Sequence, residues 1–380
     1  MTFLINASNL KAGGGLQVAD SICRQLYKYP QHRFVVVLSP YLKETADRIA
    51  NNENIEVQIY EVPNTFKSIV RGRDFYLDSL VENREVKAVL TVFGPSRWRP
   101  RVPHLSGFAM SQLVLLESPY FQRMGRMERL KWYFWRKIRQ WSLKRSADYF
   151  WTENPSISRR LEKLMGFAKA RREGVFTVSN YYNQVYDQPD QWRKSISLTE
   201  FDGVTCLSIS TNYPHKNFYI IPGVIRVLKK KYPDFKIRFV LTFDEKELPI
   251  ADDVKDSILF VGRVDVSECP YLYEQSDIMF MPTLLECFTA TYPEAMRMER
   301  PIVTTDLEFA RGLCGDAACY YSAVDAEDAA EAIHRVATDR NYANELINNG
   351  KKQLSSFDNY DQRAAKLLRI LSKIARPDNA

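Results

Sequence analysis

The sequence predicts an α/β protein made of two doubly wound, parallel-sheet domains. Three observations carry that expectation. The chain has 380 residues, which is long for one hydrophobic core. Short β-branched runs alternate with helical patterns, as in parallel sheets covered by helices on both faces. The alternation lapses once, in a polar interval near 183–202 with no sustained apolar period, which reads as the join between two halves.

The first half opens on a buried strand, FLINAS (3–8), then a glycine loop and a helix, GLQVADSICRQLYKY. RFVVVLSP, NIEVQIYEV and KAVLTVFG follow as strands, the last two separated by a helical pattern. HLSGFA, ADYFWT (147–152) and GVFTVSN (174–180) complete it. Strands resume at GVTCLSIS (203–210), FKIRFVLTF (235–243), SILFVGRV (257–264), SDIMFMPT (276–283), RPIVTTD (300–306) and ACYYSA (318–323). Helices lie between them, and three helical stretches end the chain. In open parallel sheets ligands bind beyond the carboxyl ends of the strands, so a cleft between two such domains is the expected site.

Composition narrows the class. With 45% hydrophobic and 26% charged residues, this is an ordinary folded chain. A net charge of +7 is too modest to imply nucleic acid. The six cysteines form no CxxC pair and sit mostly in apolar runs. They read as reduced core thiols of a cytoplasmic protein rather than a disulfide frame or zinc site. Four histidines do not suggest a metal centre, and none is expected. MTFLINASNL lacks the charged and apolar regions of a signal peptide. No run reaches the roughly 18 apolar residues of a membrane span, so membrane contact is expected to be peripheral.

Three stretches carry candidate chemistry. Gly13, Gly14 and Gly15 follow the first strand at a helix start, where free N–H groups and close backbone approach suit an anion. The run is not GxGxxG, and a tight strand-to-helix turn explains it equally well. In SISTNYPHKNF (208–218) the second half repeats the arrangement and offers Lys216 at the turn, a point charge suited to a diphosphate. A lysine in such a turn is also commonly just solvated. LLECFTATYPEAMRMERPIVTTD (284–306) places Glu286 in a loop after a strand and Glu294 near a helix start. Thr289 or Thr291 is expected to cap that helix, with Pro293 in its first turn. Backbone N–H groups around Phe288 to Ala290, beside Cys287, would then serve a phosphate while the carboxylates serve hydroxyls. Spacing alone equally allows two surface glutamates favoured by the helix dipole.

Taken together, YPHKN, the Glu286-x7-Glu294 pair, EAMRMERPIVTTD and CGDAACYY resemble the retaining glycosyltransferases of family 4, which have the GT-B fold. The resemblance is specific over about 204–335 and weaker before it, where the glycine loop and FTVSNYYNQVY carry it. It implies an acceptor-binding domain at 1–182 and a nucleotide-sugar-binding domain at 200–357. The last helix, within 358–380, would return to the first domain. By the same analogy Glu286 holds donor-sugar hydroxyls, Glu294 the ribose and Lys216 the diphosphate, with Gly14 and Gly15 closing over it. Arg263 and Val264 would edge the base, with Ser210, Cys287, Phe288 and Thr289 also lining the donor site. No metal and no cofactor are implied beyond a UDP- or GDP-linked donor. Two departures stand out. Ser210 occupies the place of a common arginine six residues before the lysine. Phe108 stands roughly where many members have a histidine, while His104 lies at the strand start; both are the acceptor-side candidates.

Residues 120–150 contain nine cations against Glu128 and Asp148. Met127, Leu130, Phe134, Ile138 and Trp141 recur at spacings of three and four, so one face is apolar. Basic residues interleaved with tryptophan suit an interfacial helix on anionic lipid. A helix packed on its own sheet with a solvated basic face fits the pattern as well. No nucleic-acid motif accompanies it. The expected activity is retaining, metal-independent hexosyl transfer to a lipid-linked or polysaccharide acceptor in bacterial cell-surface glycan synthesis, such as O-antigen or capsule. A nucleotide-sugar epimerase and a non-catalytic nucleotide-sugar-binding partner subunit are the alternatives.

Overall fold

A computed structural model of the chain describes residues 1–62, 72–166 and 174–376. The parts of the expected elements at 63–71, 167–173 and 377–380 lie outside the described residues. The chain forms two compact units. The first comprises Met1–Leu115, Gly125–Asn180 and Asp358–Ala380; the second comprises Leu116–Met124 and Tyr181–Phe357.

The sheet of the first unit contains β1 (Thr2–Ala7), β2 (Arg33–Leu38), β3 (Ile55–Ile59), β4 (Ala88–Thr91), β5 (His104–Gly107), β6 (Tyr149–Thr152) and β7 (Val175–Thr177). Their order is β3-β2-β1-β4-β5-β6-β7, and every neighbouring pair is parallel. The strands read as nearly continuous apolar runs because both faces are covered. Phe3, Ile5, Phe34, Val36 and Leu38 join one buried cluster, while Leu4, Val35, Val37 and Val89 join another. Successive side chains of one strand thus enter opposite layers. Leu77, Leu80 and Val81 of the helix Phe75–Asn83 complete the second layer. The helices Gly14–Cys23 and Tyr360–Ile374 complete the first, through Val18, Ile22, Leu367, Leu368, Leu371 and Ile374.

The last helix is tied to the first unit by charge as well as by apolar burial. Arg363 is enclosed and donates to Ser21 Oγ at 2.6 Å and to Asn180 Oδ1. Burial lowers its pKa to about 10, opposed by the negative charges of Glu153 and Asp358. Asp358 accepts from the backbone N–H and hydroxyl of Ser179 at 3.1 and 3.0 Å.

The sheet of the second unit contains β8 (Val204–Ser208), β9 (Ile237–Leu241), β10 (Ile258–Phe260), β11 (Ile278–Met281), β12 (Ile302–Thr305) and β13 (Ala318–Tyr321). The order is β10-β9-β8-β11-β12-β13. In each sheet the chain winds outward in one direction and then restarts on the other side. That switch lies between β1 and β4 in the first sheet and between β8 and β11 in the second. Crevices at such points are where open parallel sheets bind ligands. The polar interval before β8 forms two short 3₁₀ turns, Gln184–Asp187 and Pro189–Gln191, and no strand.

Two local expectations need correction. The first helix ends at Cys23 rather than continuing to Tyr29. Gln25 N–H bonds to the Ile22 carbonyl and Lys28 N–H to that of Gln25, the tighter spacing of a 3₁₀ turn over Leu26–Lys28. Neither Thr289 nor Thr291 caps the helix Thr291–Arg297, whose N-cap is Ala290 with no side-chain bond. The two threonine hydroxyls bond each other at 2.9 Å instead.

Candidate functional site

The candidate site of the second unit is built on β8 and β11, the strands flanking its switch point. After β8 the chain makes a 3₁₀ turn, Pro214–Lys216, with the proline at its first position. Asn217 follows at φ 58°, φ 58° and ψ 29° being a left-handed conformation that asparagine tolerates better than most residues. The turn is fastened to the loop after β11, because Leu284 N–H donates to the His215 carbonyl at 2.8 Å.

This arrangement brings Lys216 to Glu286. Lys216 Nζ lies 2.5 Å from Glu286 Oε1, and both side chains are nearly buried. Thr283 Oγ1 donates to the same Oε1 at 3.2 Å, and His215 Nε2 stands 3.9 Å from it. Burial lowers the His215 pKa despite the nearby Glu286 charge, so the imidazole is neutral near pH 7. All three contacts converge on Oε1, whereas a carboxylate accepts at two oxygens and an ammonium donates three hydrogens. A cation and a carboxylate, each with unused bonding capacity, can serve a phosphate and a sugar hydroxyl together.

Glu294 belongs to a separate cluster one helical turn on. Tyr273 hydroxyl lies 3.5 Å from Glu294 Oε2 and 3.3 Å from the Thr291 carbonyl. Burial raises the Glu294 pKa to about 7, opposed by the Tyr186 and Tyr273 hydroxyls. The carboxyl is therefore poised between its neutral and charged forms. Cys287 is buried, and Phe288 is half-buried with its ring edge-on to Phe357 at 6.0 Å.

The remaining candidates are dispersed. Ser210 N–H donates to Thr242 Oγ1 at 3.0 Å just beyond β8. Arg263 and Val264 follow the edge strand β10, Arg263 exposed and Val264 half-buried. Gly14 and Gly15 belong to the first unit, where Gly13 occupies the helix N-cap at φ 74° and ψ −164°. A Cβ on Gly14 would meet nothing within 4 Å, whereas one on Gly15 would touch the Leu10 side chain at 3.4 Å.

Both acceptor-side candidates have buried side chains. His104 is fully enclosed at the start of β5, the opposite end from the ligand crevice, with Nε2 2.8 Å from Thr91 Oγ1. Burial lowers its pKa to about 4, so it is a neutral core histidine. Phe108 is also fully enclosed, and its N–H extends the strand pairing to the Trp151 carbonyl at 2.9 Å. Neither side chain offers surface to an acceptor.

Several neighbours were not legible from spacing. The short segment 116–124 clusters with the second unit. Ser118 Oγ donates to the Leu284 carbonyl at 2.6 Å, and Tyr120 stands edge-on to His215. Arg123 Nη1 donates to Asn217 Oδ1 at 2.6 Å. Arg123 thus brings a second cation to the turn that holds Lys216. Nothing in the sequence links positions 123 and 217, which lie 94 residues apart. Tyr186 and Tyr273 were likewise missed as neighbours of Glu294.

Residues 197–353 match the family described as Glycosyl transferases group 1. Lys216, Glu286 and Glu294 all lie within the matched residues. Over 147 residues the chain is 30% identical to a Haemophilus influenzae protein described as an uncharacterized glycosyltransferase. That alignment covers 37% of this chain and spans only 38% of the relative's length. The crystal structure of a glycosyltransferase from Rickettsia africae superposes with a TM-score of 0.69 at 14% identity, over 100% of this chain and 99% of that one. Anabaena HepE, in complex with UDP and glucose, superposes with a TM-score of 0.65 at 13% identity, over 98% and 99%. At such identities the likeness establishes the fold, which is GT-B.

Proposed function

We propose that the chain transfers a hexose from a nucleotide diphosphate to a lipid-linked or polysaccharide acceptor, with retention and without a metal, at the cytoplasmic side of a bacterial membrane. The reading places it among family 4 enzymes of cell-surface glycan synthesis. The observation that carries it is the Lys216–Glu286 pair at the β8/β11 switch point, inside the group 1 domain. A structural neighbour holds UDP and glucose, which supports a nucleotide-sugar donor.

In this mechanism Lys216 meets the diphosphate as it departs and gains charge, and Arg123 adds positive charge beside the same turn. The second cation offsets the arginine absent at Ser210. Glu286 accepts from donor-sugar hydroxyls, and Glu294 accepts from the ribose. Gly14 and Gly15 let backbone N–H groups close on the phosphates. Arg263 and Val264 edge the base. The acceptor hydroxyl attacks the anomeric carbon on the face the diphosphate leaves. A departing phosphate oxygen takes the hydroxyl proton, so no side-chain base is required. Catalysis is then positioning and charge stabilisation.

Product analysis with UDP- and GDP-sugars tests the reading, with and without a lipid-linked acceptor and with chelator. Acceptor-dependent product of unchanged anomeric configuration, unaffected by chelator, is expected. Acceptor-independent formation of an epimeric nucleotide sugar would instead make the chain an epimerase. Donor binding without turnover would make it a binding subunit.

A further inference from the structure

The helix Arg126–Ser146 is 21 residues long, and only Leu143 and Ser146 along it are buried. Its apolar stripe does not pack on the sheet. Met127 is 67% exposed, Leu130 52%, Phe134 59%, Ile138 65% and Trp141 52%. These five follow one another at steps of three or four and share a face. Trp132, Arg136, Gln140 and Leu143, all half-buried or buried, fall on the opposite face. Gln140 Nε2 fastens that side by donating to the Leu164 carbonyl at 3.2 Å. The apolar stripe therefore points away from the unit that carries it.

Charge borders the stripe. On an ideal helix Arg126, Lys137 and Lys144 run along one flank and Lys131 lies on the other. Arg145 stacks on Trp141 at 4.6 Å, and Lys137 on Tyr133 at 5.6 Å. Within the helix eight cations face one acid, Glu128. A protein surface as apolar as this stripe ordinarily finds a partner. A second copy of the same helix would oppose eight cations to eight, so the charge selects a surface that is apolar within and anionic outside.

We propose that this helix lies in the surface of an anionic lipid bilayer. Leu130, Phe134, Ile138 and Trp141 enter the acyl boundary, while Lys131, Lys137 and Lys144 meet lipid phosphates. The inference deepens the functional reading by placing the acceptor in lipid. It requires neither a donor nor turnover, so it can fail while the transferase reading stands.

Co-sedimentation of the full chain with phosphatidylcholine vesicles, alone or with about a third phosphatidylglycerol, tests it. Binding is expected only to the anionic vesicles and should weaken with salt. Lys131→Glu, Lys137→Glu and Lys144→Glu together should reduce it by about a hundredfold or more, each cation near the surface contributing on the order of a fivefold factor. Phe134→Glu with Ile138→Glu should abolish it. Both variants lie on the exposed side, and unchanged thermal melts would confirm their folding. Equal binding to both vesicle types, or no binding, would overturn the proposal. So would a concentration-dependent dimer that Phe134→Glu with Ile138→Glu dissolves, since the stripe would then serve a second copy.

Discussion

Lys216 and Glu286 pair at 2.5 Å, so a bound diphosphate has to share the lysine. Removing that cation removes charge stabilisation where the leaving group forms. Lys216→Ala is expected to lower turnover by roughly two to three orders of magnitude. Glu286→Gln should damage kcat most, and Glu294→Gln should weaken donor and free nucleotide alike. Steady-state kinetics beside nucleotide titration distinguish the two, and equal losses of nucleotide affinity would refute the division. Glu294 has a further signature. Its folded pKa of about 7 exceeds the ordinary 4.5 because burial disfavours the carboxylate. The groups facing it are Tyr186, Tyr273 and Cys269, all neutral near pH 7. A raised acid pKa means the folded state binds its proton more tightly than the unfolded chain. That contribution is fully present below pH 4.5 and is lost as pH rises through 7. Relative to Glu294→Gln, the parent protein should therefore match it best near pH 4.5 and fall behind above pH 7 in thermal melts. Lys216, Glu286 and Glu294 could be proposed from the sequence because turn, strand and spacing are local features. Tyr186, Tyr273 and Arg123 could not, because their proximity is made by the tertiary fold. The enclosure of His104 and Phe108 was not legible because position along a strand does not reveal which side chains are buried.

At the scale of elements, the first strand-to-helix turn separates conformation from function. Gly13 sits at φ 74° and ψ −164°, a region in which side chains are strained. Gly13→Ala is expected to cost about 1–3 kcal/mol of stability. Gly14 has open space where a Cβ would go, so Gly14→Ala should leave the melting temperature near that of the parent. If the loop closes on phosphates, the added methyl should still lower turnover. A Gly14→Ala protein with full activity would remove the loop from the donor site. Strands were read well because buried parallel strands are apolar on both faces and sharply bounded. Helix ends were read less well. The first helix gives way to a 3₁₀ turn at Leu26–Lys28, and the threonines before Glu294 satisfy each other rather than the helix. The helix Arg126–Ser146 shows a different limit. Periodicity revealed its apolar face, but only packing could show which way that face points.

For the whole molecule, two sheets and their polar join could be expected from alternating patterns, since each domain repeats one local grammar. The itinerary of the chain could be read only in part. Nothing in the pattern placed segment 116–124 with the second unit, and Asp358–Ala380 joins the first as only the family resemblance implied. Arg363 is the test of that last attachment. It is enclosed, bonded to Ser21 and Asn180, and offset by Glu153 and Asp358. Arg363→Ala would leave those acids without their buried cation and should destabilise the protein by about 3–5 kcal/mol. Calorimetry should show the loss as an earlier transition of the first unit.

The same helix sets the order in which the protein can mature during translation. The segments of the second unit have all been synthesised once Phe357 is made. The first unit still lacks Leu367, Leu368, Leu371 and Ile374, so the domain begun first is completed last. Until those residues are made, one layer of the first sheet is covered by the helix Gly14–Cys23 but not by its second helix, and the apolar surface left open there is expected to need shielding.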